Sequence, residues 1–246
     1  MILGALLRAI HDNFYIPPPP PAIGVILAYL WGSIPFAYLA GRFLKGVDLR
    51  TRGSGNLGAT NVYRTLGLPA ALLVFALDAS KGALPVALFR APGFGTTAEW
   101  WQIAYGVAAI IGHVRPIFFG GKGGGKGVAT ACGAFLALAP GPTLDSLVTW
   151  VLVFTAFRYV SVASLCATLV LPVAIVISRG LTPTFWAAAI VAVFVVWTHR
   201  PNIDRLRRGK EPRIGRGAAA ARAAASAAVG GGAVGQRRPG GGATPH

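Results

Sequence analysis

The densest group of residues that could do chemistry is the stretch 120–127, which consists of six glycines and two lysines, Lys122 and Lys126. Because glycine has no Cβ, such a backbone can fold so that several N–H groups face one small anion. The lysines add positive charge, and a helix predicted to begin directly afterwards adds unpaired N–H groups and roughly half a positive charge. The stretch therefore predicts a phosphate pocket. The alternative is a flexible basic loop held at lipid head groups.

A second polar stretch, 45–61, has side chains and glycines that suit the same chemistry. The side chains that could line an anion nest there, together with backbone N–H groups, are those of Ser54, Asn56 and Thr60. Arg64 follows about one helical turn beyond Thr60, and its guanidinium can hold a phosphate in a bidentate fork. An alternative role for Thr60 or Asn61 is to cap the next helix, and both roles are compatible.

Both stretches contain glycine motifs known from nucleotide-binding proteins, but their context argues against that function. Gly53–Gly58 matches G-x-G-x-x-G, and Asp78 follows at the offset of a ribose-binding acid, yet this motif needs a strand before it within a βαβ unit. Gly120–Lys126 matches the start of a P-loop, but Gly127 stands where a Mg²⁺-binding Ser or Thr is required. An apolar segment of helical length precedes each motif, so we expect neither dinucleotide nor ATP binding.

Further polar residues lie at the ends of apolar segments. Ser161 and Ser164 are three residues apart at the start of one such segment. Ser161 could be the helix cap, and Ser164, one turn in, could reach a substrate. His199 ends another apolar segment, with Asn202 three residues on, and a role in ligand contact competes there with a simple interfacial position.

The chain is strongly apolar: 54% of the 246 residues are hydrophobic and only 12% are charged, with a mean hydropathy of +0.60. The polar residues described above must therefore be positioned by apolar segments. A soluble domain has about 25% charged residues, so the composition predicts a membrane protein. The 23 Lys and Arg against 7 Asp and Glu give a net charge of +16. The chain also has apolar runs that are long enough to span a membrane. The positive charge is therefore better explained by a basic membrane face than by nucleic-acid binding. Cys132 and Cys166 lie in apolar stretches, which predicts packing roles and no metal site.

Seven apolar segments are predicted to cross the membrane as helices, so the predicted fold class is all-α and polytopic. They are 22–44, 68–89, 99–119, 126–138, 144–157, 161–177 and 183–197. The first is interrupted by Gly32, Ser33 and Pro35, so neighbouring helices have to satisfy the freed backbone groups. In the second, Asp78 and Lys81 share one helix face, which predicts a structural ion pair inside the bundle.

Basic residues are concentrated on one side of this arrangement. The loops on that side are 42–64, 113–126 and 158–161, and the C-terminal segment joins them. The other side carries only Arg8, Arg90 and Arg179. The positive-inside rule therefore predicts an external N-terminus, with every glycine-rich or polar cluster on the cytoplasmic face.

Three regions are predicted along the chain. Residues 1–21 form a variable leader that ends in a run of five prolines, 17–21. Residues 22–213 form the seven-helix membrane domain. Residues 214–246, rich in Ala, Gly and Arg, have too few large apolar side chains to fold and are predicted to be a disordered tail.

An ordered set of motifs lies between residues 22 and 213. In chain order the motifs are GSIPFAYL, GSGNLGATNVYRTLG, LDASKGALPV, GHVRP, KGVAT, RYVS and HRPNIDRLRRGKE. On this set, the chain resembles the acyl-phosphate:glycerol-3-phosphate acyltransferase family (PlsY) of bacterial inner membranes. The resemblance implies seven membrane helices, an external N-terminus and three cytoplasmic motif regions. It also implies transfer from a fatty acyl-phosphate, not acyl-CoA or acyl carrier protein, to give 1-acyl-glycerol-3-phosphate, the first step of phospholipid synthesis.

By resemblance, the family's functional residues carry over to specific positions. They are Ser54, Gly55, Asn56, Thr60 and Arg64 in the first motif, Lys126 and Thr130 in the second, and Ser164, His199 and Asn202 in the third. The family usually has K-G-G-K before G-V-A-T, whereas three glycines separate Lys122 from Lys126 here, which leaves the role of Lys122 open. His199 and Asp204 also fit the H-x₄-D pattern of a different acyltransferase family, but a five-residue offset points to different helix faces.

The expected mechanism is positioning and electrostatic stabilisation, because an acyl-phosphate is already activated. We expect the nest at 53–61, Lys126 and Thr130 to hold the acyl-phosphate. The residues expected to hold glycerol 3-phosphate are Arg64, Ser164, His199 and Asn202. Either His199 or an oxygen of the acyl-phosphate takes the hydroxyl proton. The expected catalytic residues are His199, Lys126 and Arg64. We expect no cofactor or metal, a functional monomer and an acyl chain in contact with lipid. A transporter or channel for a small anion is the alternative.

Overall fold

The structure, a computed structural model, describes residues 20–89 and 95–215. The helices in these ranges are α1 (Pro21–Ser33), α2 (Phe36–Lys45), α3 (Ala59–Leu66), α4 (Leu68–Leu88), α5 (Gly95–Val114), α6 (Val128–Leu138), α7 (Pro140–Phe157), α8 (Val160–Arg179), α9 (Pro183–Thr198) and α10 (Arg200–Arg207), with a 3₁₀ turn at Ile117–Phe119. The described residues contain no strand, so the all-α prediction is confirmed. Almost all of the predicted leader and tail lie outside the described residues.

Four helical stretches are long and apolar enough to cross a membrane. They are Pro21–Lys45 across the break between α1 and α2, Leu68–Leu88, Ala98–Phe119 and Val160–Arg179. A fifth results if α9 and α10, which meet at a bend of 56°, are counted together. Since α10 carries four charged residues in eight, it is far more polar than α9. The number of seven spans stays a prediction, because α6 is apolar but has only 11 residues.

The first apolar segment is broken at Pro35, as its sequence predicts. Its small residues, Gly32 and Ser33 among them, are buried where α1 packs against α5. A Cβ on Gly32 would collide with the backbone of Ala109, so this close approach requires glycine. The Ser33 hydroxyl donates to the Tyr29 carbonyl at 2.8 Å. The predicted burial of this face is confirmed.

Two helix boundaries differ from the prediction. Pro140–Gly141–Pro142, which lies between the predicted spans 126–138 and 144–157, forms the first turn of α7, where proline is favoured because its missing N–H has no helical partner. The fourth apolar segment begins as a helix at Val128, so Lys126 stays in the loop. The short helices α3 and α10 were not separated from the loops in the prediction.

Glycines allow the closest helix contact near the site, between α4 and α6. A Cβ on Gly133 would collide with the Ala79 carbonyl oxygen, and one on Gly82 would collide with that of Thr130. At this crossing the Thr130 hydroxyl, fully buried, donates to the Asp78 carbonyl at 3.0 Å. The contact fixes the start of α6, and with it the end of the glycine-rich loop, against α4.

Candidate active site

One cavity of about 870 Å³ opens among α3, α4 and α6–α10 and brings the two polar stretches together. The expected site residues that line it are Ser54, Gly55, Asn56, Thr60, Arg64, Lys126, Ser164, His199 and Asn202. Residues as far apart in sequence as Ser54 and Asn202 therefore line one cavity. The rest of the lining is largely apolar and includes Leu72, Phe75, Leu147, Phe154 and Leu171; we call this part of the lining the apolar arm.

Thr130 is the one expected site residue that does not line the cavity. Its hydroxyl is turned to the Asp78 carbonyl of α4, as described above. Because that proton is donated inside the protein and the side chain has no exposed surface, Thr130 does not present its hydroxyl to the cavity, contrary to the expected phosphate contact. The observed role of Thr130 is to join α6 to α4.

Asn61 organises the first polar loop, and neither Asn61 nor Thr60 is a helix cap. The helix α3 has Gly58 at its N-cap position and no side-chain capping hydrogen bond. The buried Asn61 side chain instead accepts from the Ser54 N–H at 3.0 Å and donates to the carbonyls of Leu49 and Arg52 at 3.1 and 3.0 Å. Asn61 therefore closes the loop, which leaves the first N–H groups of α3 without intrahelical partners beside the cavity.

The glycine-rich loop depends on its glycines in two ways. Four of them, Gly120, Gly121, Gly123 and Gly127, have positive φ between 61° and 86°, which side chains with a Cβ disfavour. Two others are packed too tightly for a side chain, Gly124 against the backbone carbonyls at the end of α5 and Gly125 against the His113 ring. Lys122 is exposed and does not line the cavity, whereas Lys126 is half-buried and does.

Lys126 is the start of a hydrogen-bond chain that crosses the cavity wall. Its Nζ donates to Asn202 Oδ1, and Asn202 Nδ2 donates to Glu211 Oε1 at 2.7 Å. The Thr198 hydroxyl fixes the Lys126 backbone by donating to its carbonyl at 3.0 Å. Burial lowers the pKa of Lys126 to about 8; the charge of Glu211 opposes this effect, and those of Arg205 and Arg64 reinforce it. Lys126 is thus a cation that can lose its proton in the physiological range.

Glu211 is the site residue that the sequence analysis missed. It is buried, and it accepts from Ser161 Oγ at 2.7 Å and from Arg205 Nε at 2.7 Å as well as from Asn202. Burial raises the pKa of Glu211, but these hydrogen bonds outweigh burial and keep the pKa below its ordinary value. The available signal was an acidic residue within the basic segment 200–213. Ser161, predicted as a possible cap, is used in this bond instead.

His199 has a fixed ring orientation at the joint between α9 and α10. Its Nδ1 lies 2.8 Å from the Val195 carbonyl, which can only accept, so the proton resides on Nδ1 and the Nε2 lone pair is available. Burial, together with the charge of Lys126, lowers the pKa of His199 to about 4. The ring is therefore neutral at pH 7. Asp204, the partner in the H-x₄-D pattern, pairs with Arg208 at 3.0 Å instead.

Ser164 is buried in the cavity wall and faces α7. Its hydroxyl oxygen accepts from Trp150 Nε1 at 3.1 Å, which leaves its own proton for a ligand in the cavity. Arg64 also lines the cavity, from the short helix α3. Within the described residues, no three His, Cys, Asp or Glu side chains are close enough to hold a metal ion.

Asp78 and Lys81 form the predicted ion pair, with 2.7 Å between Nζ and Oδ1, and both are almost completely buried. His113, from the end of α5, joins them with its Nδ1 3.3 Å from Lys81 Nζ and 3.5 Å from Asp78 Oδ1. The ion-pair prediction is confirmed, and the structure adds a third member that the sequence analysis did not assign.

Comparisons with known proteins agree on one family. The family model described as glycerol-3-phosphate acyltransferase matches residues 22–209. A glycerol-3-phosphate acyltransferase of Synechococcus sp. (strain CC9902) is 48% identical over 189 residues, which are 77% of this chain and 92% of the relative. That of Parasynechococcus marenigrum (strain WH8102) is 45% identical over 192 residues, or 78% and 89% of the two chains.

Two solved structures have the same fold. The crystal structure of PlsY, an integral membrane glycerol 3-phosphate acyltransferase, in its glycerol 3-phosphate form matches with a TM-score of 0.74 and 42% identity, covering 79% of this chain and 96% of that one. The lysophosphatidic acid form matches with a TM-score of 0.72 and 40% identity, covering 79% and 95%.

Proposed function

This chain belongs to the glycerol-3-phosphate acyltransferase family, and from that premise we propose that its acyl donor is a fatty acyl-phosphate. The products are then lysophosphatidic acid, acylated at the 1-hydroxyl, and inorganic phosphate. The observation that carries the proposal is that Arg64, Lys126 and His199 line one cavity that also has an apolar arm. Two anionic groups and one acyl chain are the ligands that such a cavity suits. The matched family gives no support to the transporter or channel alternative.

The two phosphates are assigned to different walls of the cavity. The donor phosphate binds to Lys126 and to the loop that contains Ser54, Gly55, Asn56 and Thr60. Two helix starts without side-chain caps, those of α3 and α6, adjoin this position and offer N–H groups to an anion. Thr130 supports this wall through α4 and is left out of the contact.

Glycerol 3-phosphate is assigned to Arg64, Ser164, His199 and Asn202. Arg64 holds its phosphate, because a guanidinium matches phosphate geometry with two parallel hydrogen bonds. Ser164 has a proton to donate and His199 Nε2 a lone pair to accept. Together they orient the 1-hydroxyl toward the acyl carbonyl, and positioning of this kind accounts for a large share of enzymatic rate enhancement.

The reaction exchanges one bond for another at the acyl carbon. The glycerol hydroxyl oxygen attacks the carbonyl carbon, the bond from that carbon to the phosphate oxygen breaks, and phosphate departs with the electron pair. The hydroxyl proton goes to His199 Nε2 or to a phosphate oxygen. With a pKa of about 4, the neutral His199 ring is a weak base at pH 7. This weak basicity favours a phosphate oxygen as the acceptor.

We further propose a bacterial inner-membrane location with the cavity opening at the cytoplasmic face. The basic loops lie on that face, and both substrates are anionic. The acyl chain lies in the apolar arm in contact with lipid. Seven spans, an external N-terminus and a functional monomer complete the proposal. The support for these points is the charge asymmetry of the loops and a fold similar to that of an integral membrane enzyme.

The donor is tested with the purified full-length protein in detergent or liposomes. Palmitoyl-phosphate and labelled glycerol 3-phosphate are incubated without CoA, and labelled lysophosphatidic acid is the expected product. Parallel reactions receive palmitoyl-CoA or palmitoyl-acyl carrier protein instead. Product from either of these donors, with none from palmitoyl-phosphate, would overturn the proposed donor and leave the family assignment intact.

A further inference from the structure

Three titratable side chains beneath the glycine-rich loop form a buried cluster that the reaction does not use. Asp78 and Lys81 come from α4 and His113 from the end of α5, and all three have at most 6% of their surface exposed. Lys81 Nζ lies 2.7 Å from Asp78 Oδ1 and 3.3 Å from His113 Nδ1. Lys81 also lies over the Phe36 ring of α2, 4.9 Å from its centroid. The cluster therefore joins α2, α4 and α5 at one point.

The cluster is in direct contact with the loop that carries Lys126. The Gly125 N–H donates to the His113 carbonyl at 3.1 Å, and the His113 ring lies against Gly125 so closely that a Cβ there would collide with Nε2. The Asp78 carbonyl holds the other side of the loop, because it accepts from Thr130 in the first turn of α6. Lys126 thus lies between two points that are both anchored to Asp78 and its partners.

The packing of His113 distinguishes this cluster from a catalytic dyad. An imidazole beside a carboxylate could act as a base only through a ring nitrogen that reaches the substrate. Here Nδ1 faces Lys81 and Asp78, and Gly125 packs closely against the ring at Nε2. His113 and Asp78 contribute to the cavity wall, and this packing leaves Nε2 little room for a substrate hydroxyl.

We propose that Asp78, Lys81 and His113 are positioning residues. They hold the glycine-rich loop in the position from which Lys126 can contact the donor phosphate. This inference rests on the role of Lys126 in the proposed function. A loop of six glycines and two lysines has high conformational freedom, and its ordered form has to be imposed by contacts from outside. A buried charged cluster with short contacts on three helices gives the rigid support that such a loop lacks.

The test uses full-length variants in detergent and two readouts. His113→Ala removes the ring beneath Gly125, and the double variant Asp78→Asn/Lys81→Met removes both charges together, so that no single buried charge is left unpaired. Ser80→Ala is the matched control, because the Ser80 hydroxyl bonds only within α4, to the Leu77 carbonyl. The readouts are KM and kcat for palmitoyl-phosphate, and hydrogen–deuterium exchange of residues 116–127 and 46–58.

Both cluster variants are expected to raise KM for palmitoyl-phosphate and to lower kcat/KM by about 100-fold, the effect of a misplacement of about 1 Å. Exchange should become faster in 116–127 and remain unchanged in 46–58, which distinguishes local release from general unfolding. Ser80→Ala should behave as the wild type. A normal KM with unchanged exchange in 116–127, and only a smaller amount of active enzyme, would overturn the inference.

Lys126→Met separates this inference from the proposed function. It should lose activity while exchange of 116–127 stays as in the wild type, because the cluster remains intact. Full activity of Lys126→Met would contradict the proposed role of Lys126. The inference that the cluster positions Lys126 would then fail as well, whatever hydrogen–deuterium exchange the cluster variants show.

Discussion

At the scale of single residues, Arg64 is the cation that the proposed site can least replace. Among the described residues it makes no ion pair, and its guanidinium lines the cavity. We expect Arg64→Ala to lower kcat/KM by at least about 100-fold, since each factor of ten corresponds to about 1.4 kcal/mol. The protein should still insert in the membrane. Arg64→Lys keeps the charge and loses the bidentate fork, so its activity should lie between the two. Wild-type activity in Arg64→Ala would remove Arg64 from the site.

We expect Lys126 to make the reaction sensitive to alkaline pH. Because its pKa is about 8, the charge that we propose to attract the donor phosphate is present below pH 8 and is lost as the pH rises through that value. The pH profile of kcat/KM, which reports the free enzyme, should therefore fall above about pH 8. Lys126→Arg is the control: whatever activity it retains should lack this limb, since the pKa of arginine is about 12.5 or higher. An unchanged alkaline limb in Lys126→Arg would contradict the assignment.

His199 is expected to orient the hydroxyl more than to remove its proton. With a pKa of about 4, its neutral ring is a weak base at pH 7. We expect His199→Ala to raise KM for glycerol 3-phosphate by about tenfold, the value of one lost hydrogen bond, and to lower kcat by less than about 100-fold. Steady-state kinetics at saturating substrates measure both. A kcat loss of about 100-fold or more would instead identify His199 as the general base.

At the scale of secondary-structure elements, short helices carry much of the site. Arg64 lies on α3 and Asn202 on α10, each of eight residues. Neither is long enough to be stable alone, so their positions depend on packing and on bonds such as that from Asn202 to Glu211. The segment after α10 is also held at its far end. There the Ile214 N–H donates to the Arg158 carbonyl, and Arg158 Nε donates to the Ile214 carbonyl. The basic C-terminal segment therefore belongs to the site wall.

The crossing of α4 and α6 provides a stability prediction. Gly133→Ala would force a methyl group against the Ala79 carbonyl, and overpacking of this kind costs about 1–3 kcal/mol. The variant should unfold at a lower temperature in a thermal-shift assay. Gly141→Ala is the matched control, because a Cβ there meets nothing within 4 Å and alanine favours the helix. Equal stability of the two variants would show that the crossing tolerates a side chain.

At the scale of the whole molecule, the two ends of α6 offer a test of the predicted orientation in the membrane. Lys122 precedes α6, whereas Arg179 donates to the carbonyl of Leu138 at the opposite end of that helix. In a background with Cys132 and Cys166 replaced, Lys122→Cys should react with an impermeant maleimide only from the cytoplasmic side, and Arg179→Cys only from outside. Labelling of intact cells and inverted vesicles distinguishes the sides. Reaction of both positions from one side would contradict the predicted orientation.

The sequence by itself determined the helical membrane class and the family, and all but one of the site residues that it predicted line the cavity. These follow from local properties: hydropathy over a span, glycine and charge in one loop, and motifs in a fixed order. The break at Pro35 and the Asp78–Lys81 pair were predictable for the same reason, since each depends on neighbours within one helix.

Only the tertiary structure decided which side chains meet. It placed Glu211 beneath Asn202, turned Thr130 away from the cavity and brought His113 to the Asp78–Lys81 pair. These contacts join residues on different helices, and their geometry depends on how closely the helix backbones approach. That distance is set by packing at a few glycines and by the loss of water from buried polar groups, which no local pattern along the chain encodes.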